Sequence, residues 1–198
     1  MTKGGVLLPT ALVEGVGEAG CDEVGRGCLA GPVVAAAVVL PDGFTHELLR
    51  DSKTLSEKRR LEARDVIVDN AVAWCVAEVS AVEIDRVNIL NASIMAMHRA
   101  LDGLGMVPGH ISVDGNKFKP WRDVAYTTVV KGDGRLANIA AASILAKVHR
   151  DGLMAALHRA MPIYDWEGNK GYPTRAHREA IGRFGPSAWH RMSFTLVK

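Results

Sequence analysis

Cysteine is scarce. Three occur in 198 residues, with no C-x-x-C pair, which argues against both a disulfide framework and a cysteine-ligated zinc site. A reducing cytoplasm is the expected compartment. Long apolar runs are missing too: the longest, Pro32 to Pro41, is strand-sized, whereas a membrane-spanning helix needs about twenty such residues. Met1 to Leu8 holds one Lys and no extended apolar stretch, so it lacks the pattern of a signal peptide. No repeat, low-complexity tract or Pro/Gly/Ser-rich linker divides the chain, and one domain over residues 1–198 is expected. Nor is the composition that of a disordered chain. Hydrophobic residues make up 48% against 23% charged, enough apolar surface to drive formation of a core.

An excess of one charge is lacking as well. A formal net charge of +2 by itself names no polyanionic partner, but the distribution is uneven. Residues 1–146 carry 15 Lys and Arg against 18 Asp and Glu, a net of −3. Residues 147–198 carry 9 against 4, a net of +5, with four of the seven histidines. That asymmetry suits a C-terminal region facing nucleic acid, and suits a solvated basic helix equally well.

What is present is an alternation of strand-like and helix-like segments. Ala19–Glu23 and Pro32–Leu40 read as strands joined by the glycine-rich turn Gly25–Gly31. The second is continuously apolar, as a strand covered on both faces should be. Thr54-Leu55-Ser56-Glu57 has capping-box spacing and predicts a helix to about Asn70. Val72–Val79 alternates like a strand. Leu90, Ile94, Met97, Leu101 and Leu104 recur at helical spacing after Asn88. Ile111–Val113 and Ala125–Val130 are two further short strands. A long helix from Leu136 to about Met161 starts with an alanine-rich face that permits close approach to a sheet, and a last helix fits Thr174–Phe184. The order β-β-α-β-α-β-β-α-α predicts an α/β fold whose sheet mixes antiparallel and parallel pairs under helices. The methionines and Trp74, Trp121, Trp166 and Trp189 are expected in the core or at its edge. Cys21 and Cys28 have no partners for nucleophilic catalysis and are expected as small fillers.

Four acids fall at or beside strand ends. Asp22-Glu23 closes the first strand ahead of Gly25-Arg26-Gly27, Asp114 follows Ile111-Ser112-Val113 directly, and Asp133 sits in Lys131-Gly132-Asp133-Gly134 before the alanine-rich helix. Carboxylates at the ends of strands in an α/β sheet converge on the crevice where such folds place their sites. Gathered there, they repel one another unless a cation lies between them. Hard oxygen donors select Mg²⁺ or Mn²⁺ over zinc, and a pair of such ions suits phosphodiester cleavage. Asp-Gly at 114–115 and 133–134 is equally turn chemistry, and spacing alone leaves both readings open. Geometry raises an objection as well: neighbours on a regular strand point to opposite faces, so Asp22 and Glu23 share one face only where the strand ends or bulges.

Other candidates carry paired readings. Gly25, Arg26 and Gly27 offer uncovered backbone and a guanidinium suited to a ribose 2′-hydroxyl, or form a tight turn. Ser52 and Lys53, in Asp51-Ser52-Lys53, stand near a helix N-terminus and suit a phosphate, or merely cap. Tyr172, in Gly171-Tyr172-Pro173-Thr174, suits stacking on a sugar or base, or sits half-buried. Ser143, Lys147 and Asp151 recur four apart on the long helix, the spacing of a surface pair.

Taken together, these segments resemble the bacterial ribonuclease HII family. The resemblance rests on Cys21-Asp22-Glu23-Val24-Gly25-Arg26-Gly27 with Leu29 to Ala37 behind it, Asp51-Ser52-Lys53-Thr54-Leu55-Ser56, Val113-Asp114-Gly115-Asn116 and Lys131-Gly132-Asp133. It continues through Ile139 to Val148, Arg150-Asp151, Gly171-Tyr172-Pro173-Thr174, His177 and His190-Arg191-Met192-Ser193-Phe194, spanning roughly residues 17 to 196. Singly these motifs are weak; in this order they are specific.

The resemblance implies a ribonuclease H-like five-stranded mixed sheet flanked by helices, with a helical C-terminal extension. Residues 1–16 would be a lead-in and about 162–198 a substrate-contacting segment. It implies an endonuclease that cuts the RNA strand of RNA–DNA hybrids. It also implies cutting 5′ of a single ribonucleotide embedded in duplex DNA, leaving 3′-hydroxyl and 5′-phosphate ends. By position, Asp22, Glu23, Asp114 and Asp133 would be the catalytic, metal-binding carboxylates for two Mg²⁺ or Mn²⁺ ions. Asp22 would bridge the pair, with Glu23 and Asp114 on one ion and Asp133 on the other. Gly25, Arg26 and Gly27 would read the 2′-hydroxyl and adjacent phosphate, and Tyr172 would pack on the following deoxyribose. Ser52, Lys53, Ser143 and Lys147 complete the substrate-binding candidates. Met192 stands where a second Arg is common, at the expense of one phosphate contact, and Pro173 replaces a frequent Gly.

Two rival readings compete with this one. A non-cleaving nucleic-acid-binding module on the same fold would explain the basic C-terminal region but needs no acidic cluster. Another two-metal phosphoryl enzyme, such as a phosphatase, is separated only by Gly25-Arg26-Gly27, Tyr172 and the whole-chain resemblance. A monomer is expected, since no apolar stripe is left over.

Overall fold

Strand β2 (Val33–Val39) is apolar at every position because it is covered on both sides. The computed structural model describes residues 7–197, so residues 1–6 of the lead-in, most of the segment weighed as a leader, lie outside the described residues. The other strands are β1 (Ala19–Val24), β3 (Ala73–Val79), β4 (Ile111–Asp114) and β5 (Tyr126–Val129). The helices are α1 (Glu57–Asn70), α2 (Ala81–Val87), α3 (Ile89–Asp102), α4 (Ala137–Ala160), α5 (Trp166–Asn169) and α6 (Arg175–Phe184). Short 3₁₀ turns occupy Ser52–Thr54, Gly132–Gly134 and Pro162–Tyr164. The five strands form one mixed sheet in the order β3-β2-β1-β4-β5. Strands β1–β2 and β2–β3 pair antiparallel, and β1–β4 and β4–β5 parallel. The α/β sheet and its C-terminal helices are as the sequence predicts.

Alternation along β2 divides the core. Val33, Ala35, Ala37 and Val39 pack with Ala92, Ala96, Met97 and Leu101 of α3. Val34, Ala36 and Val38 pack with Ala63 and Ile67 of α1 and with Ala137 to Ala146 of α4. The alanines at the start of α4 bring it against the backbone of β1. A Cβ at Gly20 would run into the main chain of Asn138 and Ile139. Helix α4 has no side-chain N-cap; Pro9 and Thr10 supply carbonyls to the amides of Ala137 and Asn138, at 2.8 and 3.1 Å. Glu18 fixes that lead-in, accepting the amides of Leu12 and Val13, Asn138 Nδ2 and His110 Nδ1.

Several expectations need correcting. Helix α1 starts at Glu57, not Thr54, because Ser56 Oγ accepts the Arg59 amide, while Thr54 belongs to a turn capped by Asp51. Helix α2 went unread. Asn88, at φ +66, separates it from α3. Helix α5 is likewise absent from the sequence reading. Trp121 and Trp166 are buried, but Trp74 and Trp189 are 41% and 42% exposed, Trp74 because it lies on edge strand β3. Cys21 and Cys28 are buried fillers. Among the described residues, no helix is long and apolar enough to cross a membrane.

Candidate active site

Strands β1 and β4 run parallel and adjacent, with Cys21 opposite Val113, so Asp22, Glu23 and Asp114 emerge at one end of the sheet. Asp22 lies opposite Ala36 and Glu23 opposite Ala35, and those alanines belong to cores on opposite faces. The strand keeps its register through Val24, so no bulge brings both acids to one face. Asp22 therefore turns toward α4 and Glu23 toward α3. The group wraps around the end of the sheet, with Asp114 a charged neighbour of both. Asp133 joins from the Gly132–Gly134 turn. Gly132 N–H donates to Asp114 Oδ1 at 2.7 Å and ties that turn to the end of β4.

Negative charge only partly offset by Arg26 and Lys53 marks the group. Burial pushes the Asp22 carboxyl well above the usual carboxylate range, Glu23, Asp114 and Asp133 add to it, and a hydrogen bond from Ser143 opposes. Burial also raises Glu23, against Arg26 Nη1 at 3.1 Å from Oε1, with Asp114 reinforcing the rise. Asp133 is raised by burial, opposed by Lys53 Nζ at 3.4 Å, and raised further by Asp114 and Asp51. On Lys53, burial disfavours the charge, but Asp133, Asp51 and Asp22 outweigh it and hold the ammonium above its ordinary value.

The remaining candidates arrange themselves around these acids. Ser52 and Ser143 are both buried, with hydroxyls 3.0 Å apart, so the turn bearing Ser52 and Lys53 meets α4 beside Asp22. Lys147 does pair with Asp151, but in a largely enclosed network with Arg60, which also donates to the Ser52 and Leu55 carbonyls. Gly25 has φ +94, and a Cβ there would collide with Arg150. A Cβ on Gly27 would sit 4.0 Å from the Tyr172 ring, so the glycine turn and Tyr172 face each other. Tyr172 is 40% exposed, the half-buried state of the second reading, with part of the side chain left open beside the glycine turn. From the α3 side, a cavity of about 80 Å³ is lined by Glu23, Arg26 and Asp114 through Lys117. A larger groove of about 560 Å³, walled by Leu61, Val68 and Trp74, includes none of the four acids.

Four residues with no individual role in the sequence reading support this arrangement from below. Arg150 and Arg191 are fully buried and spend their guanidinium N–H groups on main-chain carbonyls. His177 and His190 are buried against Tyr164 and Trp166, and His177 Nδ1 donates to the Tyr172 carbonyl at 2.9 Å. Basic side chains in a basic C-terminal region read as surface, and spacing does not distinguish a buried arginine from an exposed one.

The family model described as Ribonuclease HII matches residues 19–197. The chain belongs to the ribonuclease HII family. It is 59% identical over 192 residues to Ribonuclease HII of Bacteroides fragilis, covering 97% of this chain and 95% of the relative. Its fold is similar to the ribonuclease H2 from Pyrococcus horikoshii OT3, with TM-score 0.75, 25% identity, and 90% and 94% of the two chains covered. Bst-RNase HIII, solved in complex with Mn²⁺, shares the fold at TM-score 0.71 and 18% identity, over 91% of this chain and 68% of that one.

Ribonuclease HII enzymes depend on divalent metal, and the donor set here suits one. Asp22, Glu23, Asp114 and Asp133 are hard oxygen donors whose mutual repulsion a cation would offset. Among the described residues, no three His, Cys, Asp or Glu side chains stand close enough to complete a metal shell as placed. Glu23 is engaged by Arg26 through Oε1 and Asp133 by Lys53 through Oδ2, which leaves one oxygen of each carboxylate for a cation.

Proposed function

We propose that this chain, a ribonuclease H by family, hydrolyses the RNA strand of RNA–DNA hybrids and cuts 5′ of single ribonucleotides embedded in duplex DNA. The observation that carries this reading is the meeting of four acids from three distant chain segments beside a glycine turn that faces Tyr172. Asp22, Glu23, Asp114 and Asp133 would hold two divalent ions, Mg²⁺ or Mn²⁺, whose chemistry when bound is to activate water and stabilise the departing 3′-oxygen.

The chain's own residues position the substrate. Gly25–Gly27 approaches the ribonucleotide closely because it carries no side chain at either end. Arg26 sits at the rim beside Glu23, placed to exchange that carboxylate for a phosphate. Tyr172 offers an open ring to the next deoxyribose. Lys53, on an exposed turn, supplies a cation for a neighbouring phosphate. Ser52 and Ser143 hold that turn against α4, and Lys147 braces it through Asp151 and Arg60. The products carry 3′-hydroxyl and 5′-phosphate ends. The whole chain acts as one domain, with residues 162–198 lying along the substrate, as a monomer in the cytoplasm.

Cleavage of an end-labelled duplex containing one ribonucleotide tests this, with Mg²⁺, Mn²⁺ or chelator and an all-DNA control. A single metal-dependent cut 5′ of the ribonucleotide is expected. Duplex binding without a cut under either metal would instead favour the non-cleaving module.

A further inference from the structure

The glycine turn is held from beneath by two buried cations. Arg191 donates through Nε and Nη2 to the Gly31 carbonyl, at 3.0 and 2.9 Å, and through Nη1 to the Arg26 carbonyl at 2.9 Å. Arg150 donates to the carbonyls of Pro32, Ala30 and Lys170. Among the described residues, neither guanidinium forms an ion pair with a carboxylate. Buried charges of this kind persist only when their hydrogen bonds are fully made, so the carbonyl contacts are obligatory rather than incidental.

One of them has a directional effect. In a trans peptide the C=O and N–H point in opposite directions, and no cis peptide occurs among the described residues. With the Arg26 carbonyl drawn inward to Arg191, the amide of the same peptide, Gly27 N–H, is turned outward. Gly27 is exposed, and its amide has no partner among the described residues. Donation by a guanidinium to one end of a peptide also strengthens the donor at the other end. The Tyr172 ring stands alongside.

We propose that Arg191 is a positioning residue for ribonucleotide recognition, fixing the Arg26–Gly27 peptide so that Gly27 N–H donates to the ribose 2′-oxygen. This rests on the reading that the glycine turn faces the substrate.

The test is Arg191→Lys, which keeps a charge but has no planar fork to span the Gly31 and Arg26 carbonyls together. Anisotropy in chelator compares binding of a duplex bearing one ribonucleotide with binding of the all-deoxy duplex. The preference for the ribonucleotide is expected to fall about tenfold, the worth of one such hydrogen bond, while all-deoxy binding changes little. With Mg²⁺ present, KM for the ribonucleotide substrate should rise more than kcat falls. A folded variant that keeps the wild-type preference overturns the role of Arg191 and leaves the proposed activity standing. A wild-type protein with no preference overturns both.

Should the variant not fold, the wild-type Gly27 amide resonance gives the answer. It is expected to move on adding the ribonucleotide duplex and to stay in place with the all-deoxy duplex. No movement, or equal movement with both, overturns the assignment.

Discussion

His190 donates its Nε2–H to Nε2 of His177 across 3.2 Å, and the surrounding partners fix which ring carries which proton. The Ser187 amide donates to His190 Nδ1, so that nitrogen is bare. His177 gives its Nδ1–H to the Tyr172 carbonyl, so its Nε2 is the acceptor, for Trp166 Nε1–H as well as for His190. Every donor has an acceptor only while both rings are neutral.

Acid should therefore loosen the C-terminal helices first. Burial, followed by the neighbouring His177, pulls His190 from 6.5 down to about 4. Between those values the unfolded chain takes up a proton that the folded chain refuses, so stability falls as pH drops through that window. The loss is at most about 3 kcal/mol. Melting temperature measured from pH 7 to pH 4 should decline, and His190→Gln should flatten the decline. An equally steep profile in the variant would refute this account.

Asp114→Asn should bring turnover to background while duplex binding in chelator stays close to wild type. Asp114 is the acid that neighbours both Asp22 and Glu23, and its Oδ1 can still accept Gly132 N–H as an amide oxygen. Single-turnover cleavage beside anisotropy checks both halves. Substantial cleavage would remove Asp114 from the metal-binding set.

Gly25→Ala should destabilise by about 2 kcal/mol or more, because the residue combines positive φ with a collision against Arg150. Gly134→Ala, where a Cβ meets open space, is the control and should change the melting temperature far less. Similar melting temperatures for the two variants would contradict the packing described.

Glu18→Ala removes one acceptor from four donors at once: two amides, Asn138 and His110. Stranding buried groups of this kind should cost about 3 kcal/mol. Limited proteolysis should find new cleavage near Leu12–Val13, and protection equal to wild type would count against Glu18 as the anchor of the lead-in.

Legibility of the fold followed local periodicity. The apolar run of β2, the helical spacing of Ile94, Met97 and Leu101 and the alanines of α4 each reflect burial that a linear pattern records, whereas Leu90, first in that spacing, is exposed. Helix α2 and Trp74 escaped because a seven-residue helix and an edge strand leave too little periodic signal. For the site, the strand-end positions of Asp22, Glu23, Asp114 and Asp133 were readable from the residues. Their meeting in space was legible only through the rule that strand-end acids converge and through the family resemblance, because the β1–β4 pairing joins segments about ninety residues apart. The opposite facing of Asp22 and Glu23 follows from strand alternation alone, and the structure keeps it. Arg150 and Arg191 were illegible because their partners are carbonyls, which every residue possesses.

The contact between Arg191 and the Arg26 carbonyl spans 165 positions of the chain. The glycine turn is made early in synthesis and its clamp almost last. A chain interrupted between the end of α4 and residue 191 has all five strands and all four acids, yet it lacks the part that sets the turn. Destructive chemistry and the means to aim it are thus completed at different times. On the proposed role of Arg191, the last eight residues complete the aim of the site and not its acids, so loss of the C-terminal end would cost selectivity before it cost any of the four carboxylates.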